Sequence, residues 1–298
     1  MLGWICLKCC LCTEGQVVHT LPEGEEVKGV TLLGDVLYVL REKERDQIEV
    51  YDVINYCLKC HITVPNILRC ADMTSCEHYR CLYIADSGVE CLHRLEVQGA
   101  TTQWAVNDTP RGISVNAERN VLVTCDDARK IKEFSSHGDI LRELVLPDDV
   151  ILPWHSIQTR NGEFIVCHGG IFDEVHRVCR IRADGCHVIR SHGGQSGSNL
   201  GQYCGPRHLA VDNNEFVFVA DRGNRRVTLL SPTYVICQVV SPDDLKGDPD
   251  KLCLDIHRCR LYVSDNECKD KTETSITENA ELQFSEEFIT GRVVVFSV

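Results

Sequence analysis

A motif that returns at intervals of forty-odd residues constrains this chain more than any other feature. Its clearest copy is residues 201–231, GQYCGPRHLAVDNNEFVFVADRGNRRVTLLS. Pro206 opens a short apolar strand, His208 to Val211, and Asp212-Asn213-Asn214 supplies a polar reversal. Phe216 to Ala220 forms a second strand, Asp221-Arg222-Gly223-Asn224 a charged turn, and Arg226 to Leu230 a third strand closed by Ser231-Pro232. Turn-forming residues at each reversal of short apolar runs describe a β-meander.

The second strand of this unit recurs with Val39, Ile84, Val123, Val166, Val219 and Val263 at equivalent places, in steps of 45, 39, 43, 53 and 44 residues. The third strand recurs as well, beginning at Gln47, Arg94, Lys130, Arg177, Arg226 and Arg292. Amphipathic helical periodicity is nearly absent. A period in the low-to-mid forties built from four short strands is that of a propeller blade, a small sheet that must bury both faces on its neighbours. Six copies predict an all-β, six-bladed propeller over residues 16–298, preceded by a Cys-rich tail over residues 1–15.

Ring closure has a specific expectation. The sixth repeat ends at Val298 directly after its third strand, whereas Gln16 to Leu21 is an apolar strand with no partner beside it in sequence. The N-terminal strand is therefore expected to pair beside Arg292 to Ser297 and complete the last blade.

Composition narrows the function. A formal charge of -13 weighs against nucleic acid, because affinity for a phosphate backbone comes mainly from Lys and Arg. No run approaches the ~20 apolar residues that a membrane span needs. The 19 cysteines are scattered through the strands, and the opening residues lack the apolar region of a secretory signal. Buried reduced thiols in a cytoplasmic protein are the expectation. In the tail, Cys6, Cys9, Cys10 and Cys12 have no second Cys/His pair for zinc, and Gly3 is misplaced for myristoylation.

The blade running from Gly205-Pro206-Arg207-His208 through Val219-Ala220-Asp221-Arg222-Gly223-Asn224-Arg225-Arg226 resembles an NHL repeat, the blade type at the C-terminal end of many tripartite-motif proteins. The resemblance covers residues 16–298 and is strongest in the fifth repeat. Arg41 and His168 stand where the family's Asp is usual in the first and fourth repeats. The resemblance implies a six-bladed ring that binds a partner on one face. No RING or B-box pattern precedes it.

In a propeller the start of each innermost strand faces the channel mouth. Two residues after the Pro that opens a blade stand Gly112, His155, His208 and Lys251, with Gly29 in the first repeat. His155 and His208 on adjacent blades are similar to the zinc-binding histidines of the peptidyl-hydroxyglycine amidating lyase. A catalytic zinc wants three protein ligands, and Lys251 would repel a cation. These positions offer no carboxylate for the calcium of a lactonase-type propeller. No cofactor and no metal are expected. Trp154, His155, Arg207 and His208 form the expected ligand-binding face, because aromatic and Arg side chains dominate binding hot spots.

Three repeated acid–base pairs, Asp86 with Arg94, Asp221 with Arg226 and Asp265 with Arg292, are expected to be structural ion pairs, since one site repeated around a ring cannot be catalytic in every copy. Cys57 and Cys60, and Cys76 and Cys81, are read as free thiols. The Gly-rich stretch 193–201 lacks the GK[ST] of a phosphate loop. Residues 266–290 form a long acidic insertion, either a surface excursion or a partner-binding loop. The function expected is a non-catalytic scaffold for a protein or peptide partner. A metal-dependent lyase or hydrolase using His155 and His208 is one alternative, and an RNA-binding propeller is another.

Overall fold

Each repeat folds as a four-stranded antiparallel sheet whose strands follow chain order from the ring's centre outward. The computed structural model describes residues 14–42, 47–97, 99–170, 173–270 and 287–298. Blades 1 to 5 occupy residues 27–63, 70–105, 110–145, 153–195 and 206–240. Blade 6 is assembled from both ends of the chain: Asp248–Asp255, Arg260–Asp270 and Glu287–Ser297 are followed by Gln16–Thr20 as the outermost strand.

That closure follows the expected pairing, with Gln16 opposite Ser297, Val17 opposite Phe296 and Thr20 opposite Val294, across a bulge at Val18. The N-terminal segment holds on in two further ways. Gly24–Glu25 makes a second short pairing with Thr290 and Gly291, and Leu21 is buried in the core between blades 6 and 1. Of the tail expected over residues 1–15, only 14 and 15 belong to the described residues, and the Gly15 amide donates to the Val239 carbonyl of blade 5 at 2.7 Å.

Alternation of side chains along a strand explains why the ring forms. In the second strand of blade 1, Leu37 and Val39 point into the core shared with blade 6, while Tyr38 and Leu40 point into the core shared with blade 2. In blade 2, Leu82 and Ile84 face blade 1, and Tyr83 and Ala85 face blade 3. Six separate apolar cores result, one between each neighbouring pair of blades. Strands apolar on both faces cannot exist alone in water, and stacking removes both faces from solvent. Cys70, Cys76, Cys81, Cys91, Cys125, Cys167 and Cys179 are buried among these strands, and Cys57, Cys60, Cys76, Cys81, Cys91, Cys125, Cys167 and Cys179 are free thiols. Cys57, Cys60, Cys186, Cys259 and Cys268 are exposed, so burial does not extend to the whole set.

The described ends of the insertion in blade 6 are strand. Its flanks continue the hairpin, pairing Asn266 with Gly291 through to Asp270 with Glu287. The rest of it, 271–286, lies outside the described residues.

Candidate functional site

All six innermost strands share one irregularity. The pairing register shifts after the opening residue, between Val27 and Gly29, Cys70 and Asp72, Pro110 and Gly112, Pro153 and His155, Pro206 and His208, and Pro249 and Leu252. A β-bulge re-aims the extra residue. The residues so displaced are Lys28, Ala71, Arg111, Trp154, Arg207 and, where the last shift spans two residues, Asp250 and Lys251. All seven line a single cavity of about 310 Å³ at the channel mouth.

One layer deeper lie Gly29, Asp72, Gly112, His155, His208 and Lys251. The glycines allow close approach of adjacent inner strands: a Cβ on Gly112 would lie 2.4 Å from the Trp154 carbonyl oxygen, and one on Gly29 would lie 2.5 Å from Met73 Cβ. Asp72 corrects the expectation that these positions offer no carboxylate. Blade 2 opens on Cys70 instead of Pro, so a search keyed to Pro passes over it.

Asp72 is the hub of this layer. Its Oδ1 accepts from the Met73 amide and its Oδ2 from the Ile113 amide, both at 2.9 Å. Lys251 Nζ stands 3.4 Å from Oδ1, and His208 Nε2 and His155 Nε2 stand 3.5 Å and 3.9 Å from Oδ2. Burial alone would raise the carboxyl's pKa, but Lys251 and then His208 outweigh it and hold Asp72 well below the ordinary range. The two imidazoles stack, with ring centroids 3.8 Å apart. His155 Nε2 lies 3.2 Å from the Ile113 carbonyl, and His208 Nδ1 accepts from the Leu252 amide at 3.3 Å. Those partners assign the proton to Nε2 in both rings. Burial, reinforced by the adjacent His208 ring and the Lys251 ammonium and opposed by Asp72, pushes the His155 pKa far below 6.5, so it is neutral at physiological pH.

Ligand-type atoms of Asp72, His155 and His208 lie within 4.8 Å of one another, the spacing a metal would need. The donor set fits a metal poorly, because Lys251 already serves as the counter-cation of Asp72 and both Nε2 atoms carry hydrogens. The second such group, Asp86, Cys91 and His93, is equally buried. There Asp86 accepts from the amides of Leu68, Arg69 and Gly88. Burial pushes the Cys91 thiol up to about 11, so it stays protonated. Sulfur and carboxylate both approach the same His93 nitrogen, whereas a nucleophile–base–acid relay uses the two different ring nitrogens.

Trp154 and Arg207, expected from sequence on the ligand face, meet at the rim. The Arg207 guanidinium carbon lies 3.4 Å from the Trp154 ring centroid, and that of Arg111 lies 5.4 Å from it. Trp154 Nε1 donates to the Gly169 carbonyl at 3.2 Å, which fixes the ring. Burial pulls the Arg207 pKa down to about 10, opposed by Asp250, and the guanidinium remains charged at neutral pH. His155 and His208 lie beneath, buried in the Asp72 network and not on the open rim. Sequence reading missed Asp72, Lys28, Arg111 and Asp250. Aligning all six blade openings, with Val27 and Cys70 in place of Pro, is the signal that finds them.

The acid–base pairs divide. Arg226 Nε lies 2.8 Å from Asp221 Oδ2, and Arg292 Nε lies 2.7 Å from Asp265 Oδ2. Each Asp also accepts backbone amides of the segment entering its own blade, Cys204 for Asp221 and Lys246 and Gly247 for Asp265. The pairing of Asp86 with Arg94 is corrected. Cys91 is the residue opposite Asp86, whereas Arg94 faces Tyr83 and pairs with Glu96 at 3.2 Å. The third strand of blade 2 starts three residues earlier than its long polar residue suggests, at Cys91.

Six four-stranded blades around a channel define a six-bladed β-propeller. Solved structures of the same shape include virginiamycin B lyase from Staphylococcus aureus, with a TM-score of 0.60 at 10% identity over 93% of this chain and 99% of that one. Hydrazine synthase of Kuenenia stuttgartiensis matches with a TM-score of 0.59 at 12% identity over 82% of this chain and 92% of that one. A nidogen/laminin complex contains a chain that matches with a TM-score of 0.58 at 13% identity over 76% and 84%. At such identities the likeness concerns the fold alone. No protein-family model and no curated protein sequence matches the chain.

Proposed function

We propose that this propeller is a non-catalytic interaction scaffold of NHL type that receives a protein or peptide partner over the channel mouth. The observation that carries this reading is the rim pair: an aromatic ring fixed by its own hydrogen bond and a guanidinium stacked on it, both raised onto the mouth by bulges. Trp and Arg in a concave, preorganised setting are the side chains that dominate hot spots. The buried groups below suit a structural role, because every titratable member of the Asp72 layer is engaged by another. Free thiols among the described residues suit a reducing compartment such as the cytoplasm. No helix among the described residues is long and apolar enough to cross a membrane. The nidogen/laminin match adds a propeller-fold chain in a protein complex, a parallel of architecture only.

The test is affinity capture with the intact ring and with a W154A/R207A double variant, both confirmed folded by circular dichroism. Partners retained by the intact ring and lost by the variant support the reading; identical partner sets overturn it. The spacing of Asp72, His155 and His208 is the single observation on the side of a second reading, a metal-dependent lyase or hydrolase, and Lys251 opposes it. Metal analysis of purified protein separates the two, since stoichiometric zinc would favour the enzyme.

A further inference from the structure

The charge of the mouth runs against the charge of the chain. The cavity is lined by six basic residues and two acidic ones, in a protein whose formal charge is -13. Most of these cations are already answered by a carboxylate. Arg111 lies 2.5 Å from Asp126, Arg222 lies 3.4 Å from Asp248, Lys28 lies 2.7 Å from both Glu26 and Glu42, and Lys251 lies 3.4 Å from Asp72. Arg69 is exposed and solvated at the rim. Arg207 is the exception: among the described residues no carboxylate lies within 4.0 Å of it, and its buried Nε has no hydrogen-bond partner. Asp250 attracts it only from beyond that distance; taking a guanidinium partly out of water without a carboxylate in contact costs several kcal/mol, and stacking on an aromatic face returns only about 0.5–2.

We infer that the cavity is a carboxylate-binding site, in which a peptide carboxylate completes Arg207 by in-plane, bidentate hydrogen bonds while Trp154 covers one face of the guanidinium. The inference rests on the scaffold reading above and names the chemistry of its ligand. A guanidinium with one face covered offers its N–H edge, and that edge matches the two oxygens of a carboxylate. Asp250 and Glu26 share the lining and repel a phosphate dianion more than a monoanionic carboxylate. The volume of about 310 Å³ suits a side chain or chain terminus with its flanking backbone, not a bare ion. The carboxylate belongs either to an acidic side chain or to a peptide C-terminus.

Fluorescence anisotropy with short N-terminally labelled peptides at low salt tests this. The probes are a Glu-rich peptide with an amidated C-terminus, a Ser/Gln peptide with a free C-terminus, the same Ser/Gln peptide amidated, a Lys-rich amidated peptide and a short oligouridylate. Binding of the first probe identifies side-chain carboxylates, and binding of the second identifies a chain terminus. Either is expected to weaken at least about tenfold in R207M, which removes an unpaired cation and so leaves the ring folded, and in R207K, which keeps charge but loses the fork. Unchanged affinity in R207M overturns the inference. Trp154-dependent binding of the amidated Ser/Gln or Lys-rich peptide overturns the carboxylate chemistry and leaves the scaffold reading standing. No binding by any of these peptides overturns the carboxylate inference and leaves the scaffold reading to the capture experiment, and Arg207-dependent preference for the oligouridylate reassigns the mouth to nucleic acid.

Discussion

Arg207 lies with its guanidinium carbon 3.4 Å from the centre of the Trp154 ring, and the two residues occupy the same bulge position in adjacent blades. Neither side chain would reach the mouth in an unbulged strand, because strict alternation would turn it toward a neighbouring blade. The rim is thus a product of six register shifts repeated around the ring.

A buried cation with no carboxylate in contact contributes little to folding beyond its stacking on Trp154. Replacing Arg207 with Met is expected to leave the midpoint of thermal unfolding unchanged or slightly raised, since it removes a desolvated charge and keeps the stacking carbons. A midpoint lowered by several degrees would show that Arg207 has an internal partner.

The ion pairs of the blade turns behave in the opposite sense. Asp221 is fully buried and accepts from the Cys204 amide, the Asn224 side chain and Arg226. Asp221→Ala leaves Arg226 buried and uncompensated, and a loss of about 3–5 kcal/mol is expected in urea unfolding. Peptide affinity at the mouth should be unaffected in the folded fraction.

Closure of the ring has its own clasp. Arg41 is 1% exposed, pairs with Glu49 at 2.7 Å and donates to the carbonyls of Pro22, Glu25 and Gly291, tying blade 1 to both halves of blade 6. Arg41→Met should cost about 3 kcal/mol or more, since it leaves an acid and three carbonyls unanswered. Removing residues 1–22 should lower the melting temperature sharply, because it strips the outermost strand of blade 6. Unchanged melting in the truncated protein would refute the closure.

Acid should weaken the fold before it protonates most carboxylates. Burial, and after it Arg177, pushes the His168 pKa down to about 4, whereas an unfolded imidazole titrates near about 6.5. A base with a depressed folded pKa contributes stability fully above the unfolded value, and loses it as pH falls toward the folded value. About 3 kcal/mol is at stake for His168 between about pH 6.5 and pH 4. His155 acts in the same sense, and Asp72, held low by Lys251 and His208 against its burial, adds further loss in stronger acid. Thermal melts across this range should show a steady decline that His168→Gln flattens; a pH-independent midpoint would contradict it.

The Asp72 layer makes a prediction about metals. Lys251 fills the role of counter-cation, so added zinc should give little stabilisation in the wild type. Lys251→Met leaves Asp72 and two imidazoles without that cation, and zinc should then raise the melting temperature. Equal zinc stabilisation of both proteins would restore the metal-dependent reading.

The repeat period and the apolar alternation of Leu37 to Leu40 and of Leu82 to Ala85 determined the ring by themselves, because a strand apolar on both faces has only another sheet to bury against. The unpartnered apolar run from Gln16 to Leu21 likewise determined how the ring closes. Trp154 and Arg207 were legible as residue types that favour binding. Their contact was not, since they stand 53 positions apart and meet through two bulges that leave no mark in residue identity. Asp72 was hidden because Cys70 stands where other blades have Pro, and the partner of Asp86 was misplaced because Cys91 holds the position of an Arg. Only the tertiary structure decided which charges at the mouth are spent on one another, and that Arg207 has no described carboxylate in contact. That selection depends on distances between blades, and local sequence has no means of encoding such distances one residue at a time.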